Sequence, residues 1–161
     1  MRLQQRDKEL AAIGASIGCN CRPCAEHHIP AGRAAGLSEV ELAAAVASAR
    51  AVRDEAIELL APRIDELLGA ARAGSQPAPV ATSSRPQELV ALGASVGANS
   101  HLLLERHIAA ALGLGIDAGE VAAAVKMASY VQTRALEMTA EKATRTLDEL
   151  VGLAGPAPGG S

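Results

Sequence analysis

The three cysteines of this 161-residue chain are confined to one short stretch, Cys19-Asn20-Cys21-Arg22-Pro23-Cys24, and His28 follows four residues after the last of them. Cys21 and Cys24 form a C-x-x-C pair. With a helix starting at Cys21, that thiol sits where unpaired N–H groups and the helix dipole favour a thiolate. Cys24 falls one turn on, on the same face. Thiols so spaced close a disulfide with little backbone movement, which is the chemical basis of a redox pair. His28, at i+4 from Cys24, has an imidazole within reach of that sulfur to take and return its proton. Glu9, from a preceding helix, would fold over this face in an antiparallel hairpin and orient the ring. A second class of chemistry uses the same residues. Cys19, Cys21, Cys24 and either His27 or His28 make a three-sulfur, one-nitrogen donor set of the kind that holds zinc in a tetrahedron. A loop is the usual way to wrap such a crowded set around an ion, whereas the step to His28 reads as a straight helix. Cys19 reads either as a small buried residue or as a second resolving thiol, and His27 as solvent-facing.

The elements that must position these groups come from a duplication. Glu9-Leu-Ala-Ala-Ile-Gly-Ala-Ser-Ile-Gly18 returns as Glu88-Leu-Val-Ala-Leu-Gly-Ala-Ser-Val-Gly97, and the match continues without a gap. At a constant offset of 79 residues, Asn20 falls on Asn99, His28 on His107, Gly36 on Gly115 and Glu41 on Glu120. Each copy reads as three helices. The first runs from about Leu3 to Ile17, and the second starts near Cys21 with Pro23 in its first turn, where a missing N–H costs nothing. The third opens on a capping box, Ser38-Glu39-Val40-Glu41, with Asp117-Ala118-Gly119-Glu120 as its counterpart. That third helix is expected to break or kink at Pro62 and to reach about Arg72; its partner should run from Ala118 to about Val151. Pro30 is expected to kink the second helix. The organisation is therefore all-α: a motif-bearing repeat over 1–72, a linker over 73–83 of Pro, Gly and Ser character, a second repeat over 84–152 and a disordered tail over 153–161.

Composition narrows the function. Hydrophobic residues make up 49% of the chain but aromatic residues only 1%. Beta architectures, which lean on β-branched and aromatic runs, are excluded, as are stacking platforms for single-stranded nucleic acid. A net charge of −3 offers no basic footprint for a phosphate backbone. No apolar run is long enough to span a membrane and no signal peptide is evident, so a cytoplasmic protein is expected. Thiols in a reducing compartment read as catalytic or metal-binding before they read as structural. The duplication supplies a control: copy two has Ala98, Ser100 and Leu103 where copy one has Cys19, Cys21 and Cys24. The scaffold needs no sulfur there, which favours chemistry. His107 and Glu88 persist without thiols, so the carboxylate–imidazole pair also reads as a structural link between helices. A non-catalytic oligomeric assembly or sensor module is a further reading.

Glu9, eleven residues, then Cys21-x-x-Cys24-x-x-x-His28 resembles the signature of the alkylhydroperoxidase D-like branch of the carboxymuconolactone decarboxylase superfamily, and the Gly36-Leu37-Ser38 cap is similar. The resemblance covers roughly residues 5–70 with the motif and 84–150 without it. It implies an all-helical fold of duplicated hairpins, thiol-dependent reduction of a peroxide or disulfide without a cofactor, and a homo-oligomer, trimer or hexamer. It further implies that Cys24 attacks peroxide, that Cys21 resolves, that Glu9 and His28 relay protons, and that an external dithiol or protein reductant restores the pair.

Overall fold

In the computed structural model of the chain, residues 3–69 and 83–153 are described, and six helices follow one another with no strand among them. The first copy contributes α1 (Gln5–Gly18), α2 (Arg22–Ala34) and α3 (Glu39–Leu67). The second contributes α4 (Arg85–Gly97), α5 (His101–Gly113) and α6 (Ala118–Leu153). The all-α expectation is met. The linker expected over 73–83 and the tail expected over 153–161 lie outside the described residues, apart from residue 83 and Leu153, the last residue of α6. Among the described residues, no helix is long and apolar enough to cross a membrane.

The two copies turn their chains with the same local chemistry. Asn20 and Asn99, one residue past the helix caps, both have φ of 55°, a left-handed conformation that Asn tolerates. The following amides reach back to close the turn, Cys21 N–H to Ser16 O at 2.9 Å and Ser100 N–H to Ser95 O at 3.0 Å. Ser38 and Glu41 form the reciprocal box at the start of α3: Glu41 N–H donates to Ser38 Oγ, and Ser38 N–H donates to Glu41 Oε2 at 2.9 Å. The counterpart box is looser than expected. Asp117 Oδ1 accepts from Gly119 N–H at 2.8 Å, one residue short of the box position, and Asp117 N–H is 3.4 Å from Glu120 Oε2. The Glu120 carboxylate is drawn instead to Arg85, at 3.1 and 3.2 Å.

Neither internal proline ends its helix. α2 continues through Pro30 and α3 through Pro62, so the break at Pro62 does not occur, and α3 ends at Leu67 before the left-handed Gly69. Each proline removes one backbone donor, but Pro30 is exposed on a helix rim and Glu58, whose carbonyl loses the bond from position 62, is exposed to water.

The centre of the molecule is α1 against α4, the most extensive contact between any two elements. Equivalent residues face one another along this seam, so the helices run in the same direction. A Cβ on Gly14 would collide with the Val90 carbonyl oxygen, and one on Gly93 with that of Ala11; Gly18 and Gly97 meet the carbonyls of Ala94 and Ala15 in the same way. Glycine four residues after glycine on both helices lets the two backbones touch, and the Ala-rich composition continues that fit. Leu10, Ile13, Leu89, Leu92 and Leu103 fill the flanks of the seam and are almost fully buried. Arg6 ties α1 to α3 through Glu41 and the Gly36 carbonyl, and Arg85 bridges Glu120 and Asp7, joining the copies. Beyond Val52 in α3 and Ala135 in α6, no described side chain is buried; Ile57, Leu60, Leu136, Leu147 and Leu150 are exposed.

Candidate active site

Glu9 sits in the middle of α1 on the side facing α2, buried to 5% exposure, because the small residues around it let the helices approach. His28 comes from the second turn of α2 after Cys21 and is buried to 9%. Its Nδ1 lies 2.9 Å from Glu9 Oε2, while Gln5 Nε2 donates to Glu9 Oε1 at 2.7 Å. Both carboxylate oxygens are thus engaged. With Nδ1–H donating to the carboxylate, Nε2 is left as the ring nitrogen that carries a lone pair.

Cys21 caps α2: its Sγ accepts the Cys24 backbone N–H at 3.2 Å. That contact exists because Asn20 turns the chain so that Cys21 is the last extended residue before the helix. Cys21 and Cys24 are joined in a disulfide with their Cα atoms 5.3 Å apart. Both pack into a small cluster with Ala128, Val131 and Ala135 of α6.

The fold therefore gathers Glu9, Cys21, Cys24 and His28 on one helical hairpin. Cys19 and His27 stand at its margin. Cys19 is half-buried, with its S–H directed at the Ser16 carbonyl at 3.6 Å, and burial pushes its thiol above the ordinary value. His27 is exposed, as its spacing suggested, and its ring meets that of His28 edge to face with centroids 4.8 Å apart. The four-donor zinc set is not assembled. Cys21 and Cys24 are bonded to each other, and among the described residues no three His, Cys, Asp or Glu side chains converge to hold a metal ion.

Copy two reproduces the carboxylate–imidazole pair without sulfur. His107 Nδ1 is 2.8 Å from Glu88 Oε2, and the two groups are buried to 6% and 1% exposure. Burial works against the Glu88 charge, but hydrogen bonds from His107 and Ser83 and the charges of His107 and Arg106 outweigh it, so its carboxyl titrates below the ordinary value. His107 Nε2 is buried with no hydrogen-bond partner, and Leu103 stands one turn before it at the place of Cys24. The pair links the first two helices in both copies, and a sulfur stands one turn before the histidine only in copy one.

Three residues that motif spacing does not single out complete the site. Cys21 lines an open groove of about 470 Å³ whose rim carries Arg22, Arg50 and Arg53. Arg53 Nη1 donates to Asn20 Oδ1 at 3.2 Å, which places a guanidinium over the turn that presents Cys21. The repeat holds a signal for these residues. At the same offset, copy two has His101, Ser129 and Gln132, so the arginines vanish together with the thiols.

Residues 2–61 match the model of the carboxymuconolactone decarboxylase family, a span that covers α1, α2 and most of α3 and so contains every group of the site. No curated protein and no solved structure matches the chain.

Proposed function

We propose that the protein, whose residues 2–61 match the carboxymuconolactone decarboxylase family, is a thiol-dependent oxidoreductase of the alkylhydroperoxidase D-like kind, cycling Cys21 and Cys24 between dithiol and disulfide. One observation carries this reading. The two cysteines are joined across the first turn of α2, one turn ahead of an imidazole that a buried carboxylate orients.

In the reductive half of the cycle proposed here, Cys24 attacks as thiolate, its proton having passed to His28. The outer oxygen of a hydroperoxide is transferred to sulfur, the O–O bond breaks, and the alkoxide leaves as alcohol after taking that proton back. The resulting sulfenic acid condenses with Cys21, forming the disulfide and releasing water. An external dithiol or protein reductant then restores both thiols by exchange. Glu9 holds the ring in the tautomer that leaves Nε2 free. A disulfide substrate enters the same cycle through attack on one of its sulfurs. The protein is assigned to a reducing compartment, the cytoplasm, where such a pair turns over.

The test is a kinetic assay of the reduced protein against hydrogen peroxide, an alkyl hydroperoxide and a small disulfide, with Cys24→Ser as control. Turnover in the wild type and its loss in the variant are expected; equal turnover in both overturns the assignment.

The second half of α6 supports assembly of several copies as part of the same proposal. Residues 136–153 continue as helix for about 27 Å with no buried side chain among those described. Leu136, Leu147 and Leu150 are exposed along it and offer an apolar face for a second copy. Sedimentation equilibrium should give three or six times the chain mass; a monomer at all concentrations overturns this part.

A further inference from the structure

We infer that the arginine groove beside Cys21 selects the reductant by charge, so that the pair is restored by a low-molecular-mass thiol bearing a carboxylate. The inference rests on the redox reading of Cys21 and Cys24 and adds the chemical class of one of its two substrates.

Three observations point there. Cys21 lines the groove and Cys24 does not, so of the two cysteines Cys21 is the one beside a ligand in the groove. Arg22, Arg50 and Arg53 stand on its rim, and no carboxylate lines it. Arg22 is paired with Glu26 at 2.7 Å on the solvent side, and Arg53 has Asp54 at 3.8 Å, but Arg50 has no ion-pair partner among the described residues. The cationic character is also tied to sulfur rather than to the scaffold. Copy two has the same turn and the same helices, yet Ser100, His101, Ser129 and Gln132 replace Cys21 and the three arginines. Gln132 does the structural part of the Arg53 contact, donating to Asn99 Oδ1 and Val96 O at 2.9 Å. A guanidinium is therefore not needed to hold the turn. Its remaining role is to meet an anion, for which a planar fork of donors suits a carboxylate.

The exchange balances as follows. A thiolate held by its carboxylate in the groove attacks Cys21 Sγ, the Cys21–Cys24 bond breaks, and Cys24 leaves as thiolate, taking up from water the proton that the ligand thiol released on ionising. A second thiolate attacks the ligand sulfur of the mixed disulfide. That step releases the ligand disulfide and Cys21 thiolate, so two thiols are oxidised for each protein disulfide reduced.

Reduction of the full-length oxidised protein by 3-mercaptopropionate, 2-mercaptoethanol and cysteamine tests this, with rates expressed per thiolate and read as alkylation of Cys21 and Cys24 by mass. The expected order is anionic, neutral, cationic, with about tenfold between the first and second that shrinks as salt is raised. The protein's net charge of −3 alone would give the opposite order. The variant Arg50→Ser/Arg53→Gln takes its residues from copy two and so suits the fold; its three rates should fall within about twofold of one another. Charge-blind reduction of the wild type, or a preference that survives in the variant, overturns the inference and leaves the redox reading standing. If none of the thiols reduces the disulfide, this inference fails, while the redox reading is decided separately by the peroxide assay with Cys24→Ser.

Discussion

Copy one and copy two hold a glutamate and a histidine at the same separation and within 0.1 Å of the same distance, 2.9 Å for Glu9–His28 and 2.8 Å for Glu88–His107. What surrounds the pair differs. In copy one the next turn carries a disulfide and the turn before it lies under an arginine. In copy two the next turn carries a fully buried leucine, and the outer imidazole nitrogen is sealed without a partner. The comparison separates two roles that a single copy would confound. Linking the first two helices of each repeat needs the carboxylate and the ring; chemistry needs sulfur and access in addition.

Several variants would break or sharpen that contrast. Cys24→Ser should lower peroxide or disulfide turnover by a factor on the order of 10³ or more, while leaving thermal unfolding close to that of the reduced wild type. Activity that survives would place the chemistry elsewhere. Next in size is the seam that both copies share. Gly14→Ala and Gly93→Ala each drive a methyl into the opposing backbone, which no rotamer change can relieve. Each should cost about 3 kcal/mol in chemical denaturation, and the two costs should be similar. A strongly unequal pair would argue against the symmetric packing.

Glu9→Gln and Glu88→Gln should each destabilise by about 1–2 kcal/mol, since both glutamates are buried and satisfy a ring nitrogen. Only Glu9→Gln should also slow alkylation of Cys24 in the reduced protein. An equal effect of Glu88→Gln on that rate would remove the distinction between clamp and relay. The acid limb of stability provides a finer probe. The folded protein holds Glu88 below its ordinary value of 4.5, so its contribution is present above pH 4.5 and is lost as the pH falls through the lower folded value. Between pH 6 and 3, Glu88→Gln should therefore flatten the fall in Tm, and an unchanged slope would assign it to other carboxyls. Glu41, held at about 2 by the Ser38 backbone and side-chain hydrogen bonds and then by Arg6, adds to that limb in copy one. The smallest effect is expected at the caps. Ser38→Ala should lower Tm by about 3 °C and Asp117→Ala by less, because of these two caps Ser38 completes a reciprocal box and Asp117 does not.

Local chemistry was the legible part of the chain. Asn at 20 and 99, Gly at 36 and 115, and Ser38 with Glu41 each name a backbone conformation that neighbours in sequence suffice to produce, and each is found. The thiol pair and His28 were legible for the same reason, since one helix places them. Glu9 was legible only through the hairpin that the repeat implied. Pro62 misled because proline reports a lost bond and a clash but not the strength of the helix on either side. Asp117 misled because its box competes with Arg85, which comes from 32 residues earlier in the chain. Tyr130 is exposed at 63%, and the half-buried Met127 packs beside the cysteine cluster.

By itself, the sequence determined that the chain is helical and duplicated, where its turns fall, and that its sulfur is gathered at the start of one helix. Those properties depend on residues within a few positions of one another, whose hydrogen bonds and allowed dihedrals are set locally. Only the tertiary structure decided that the two Gly-rich helices lie backbone to backbone, and that one imidazole is sealed. It alone brought Arg53 of α3 over the turn that presents Cys21. These are contacts between residues far apart in the chain, fixed by how closely small side chains let helices approach, and no periodicity encodes that distance.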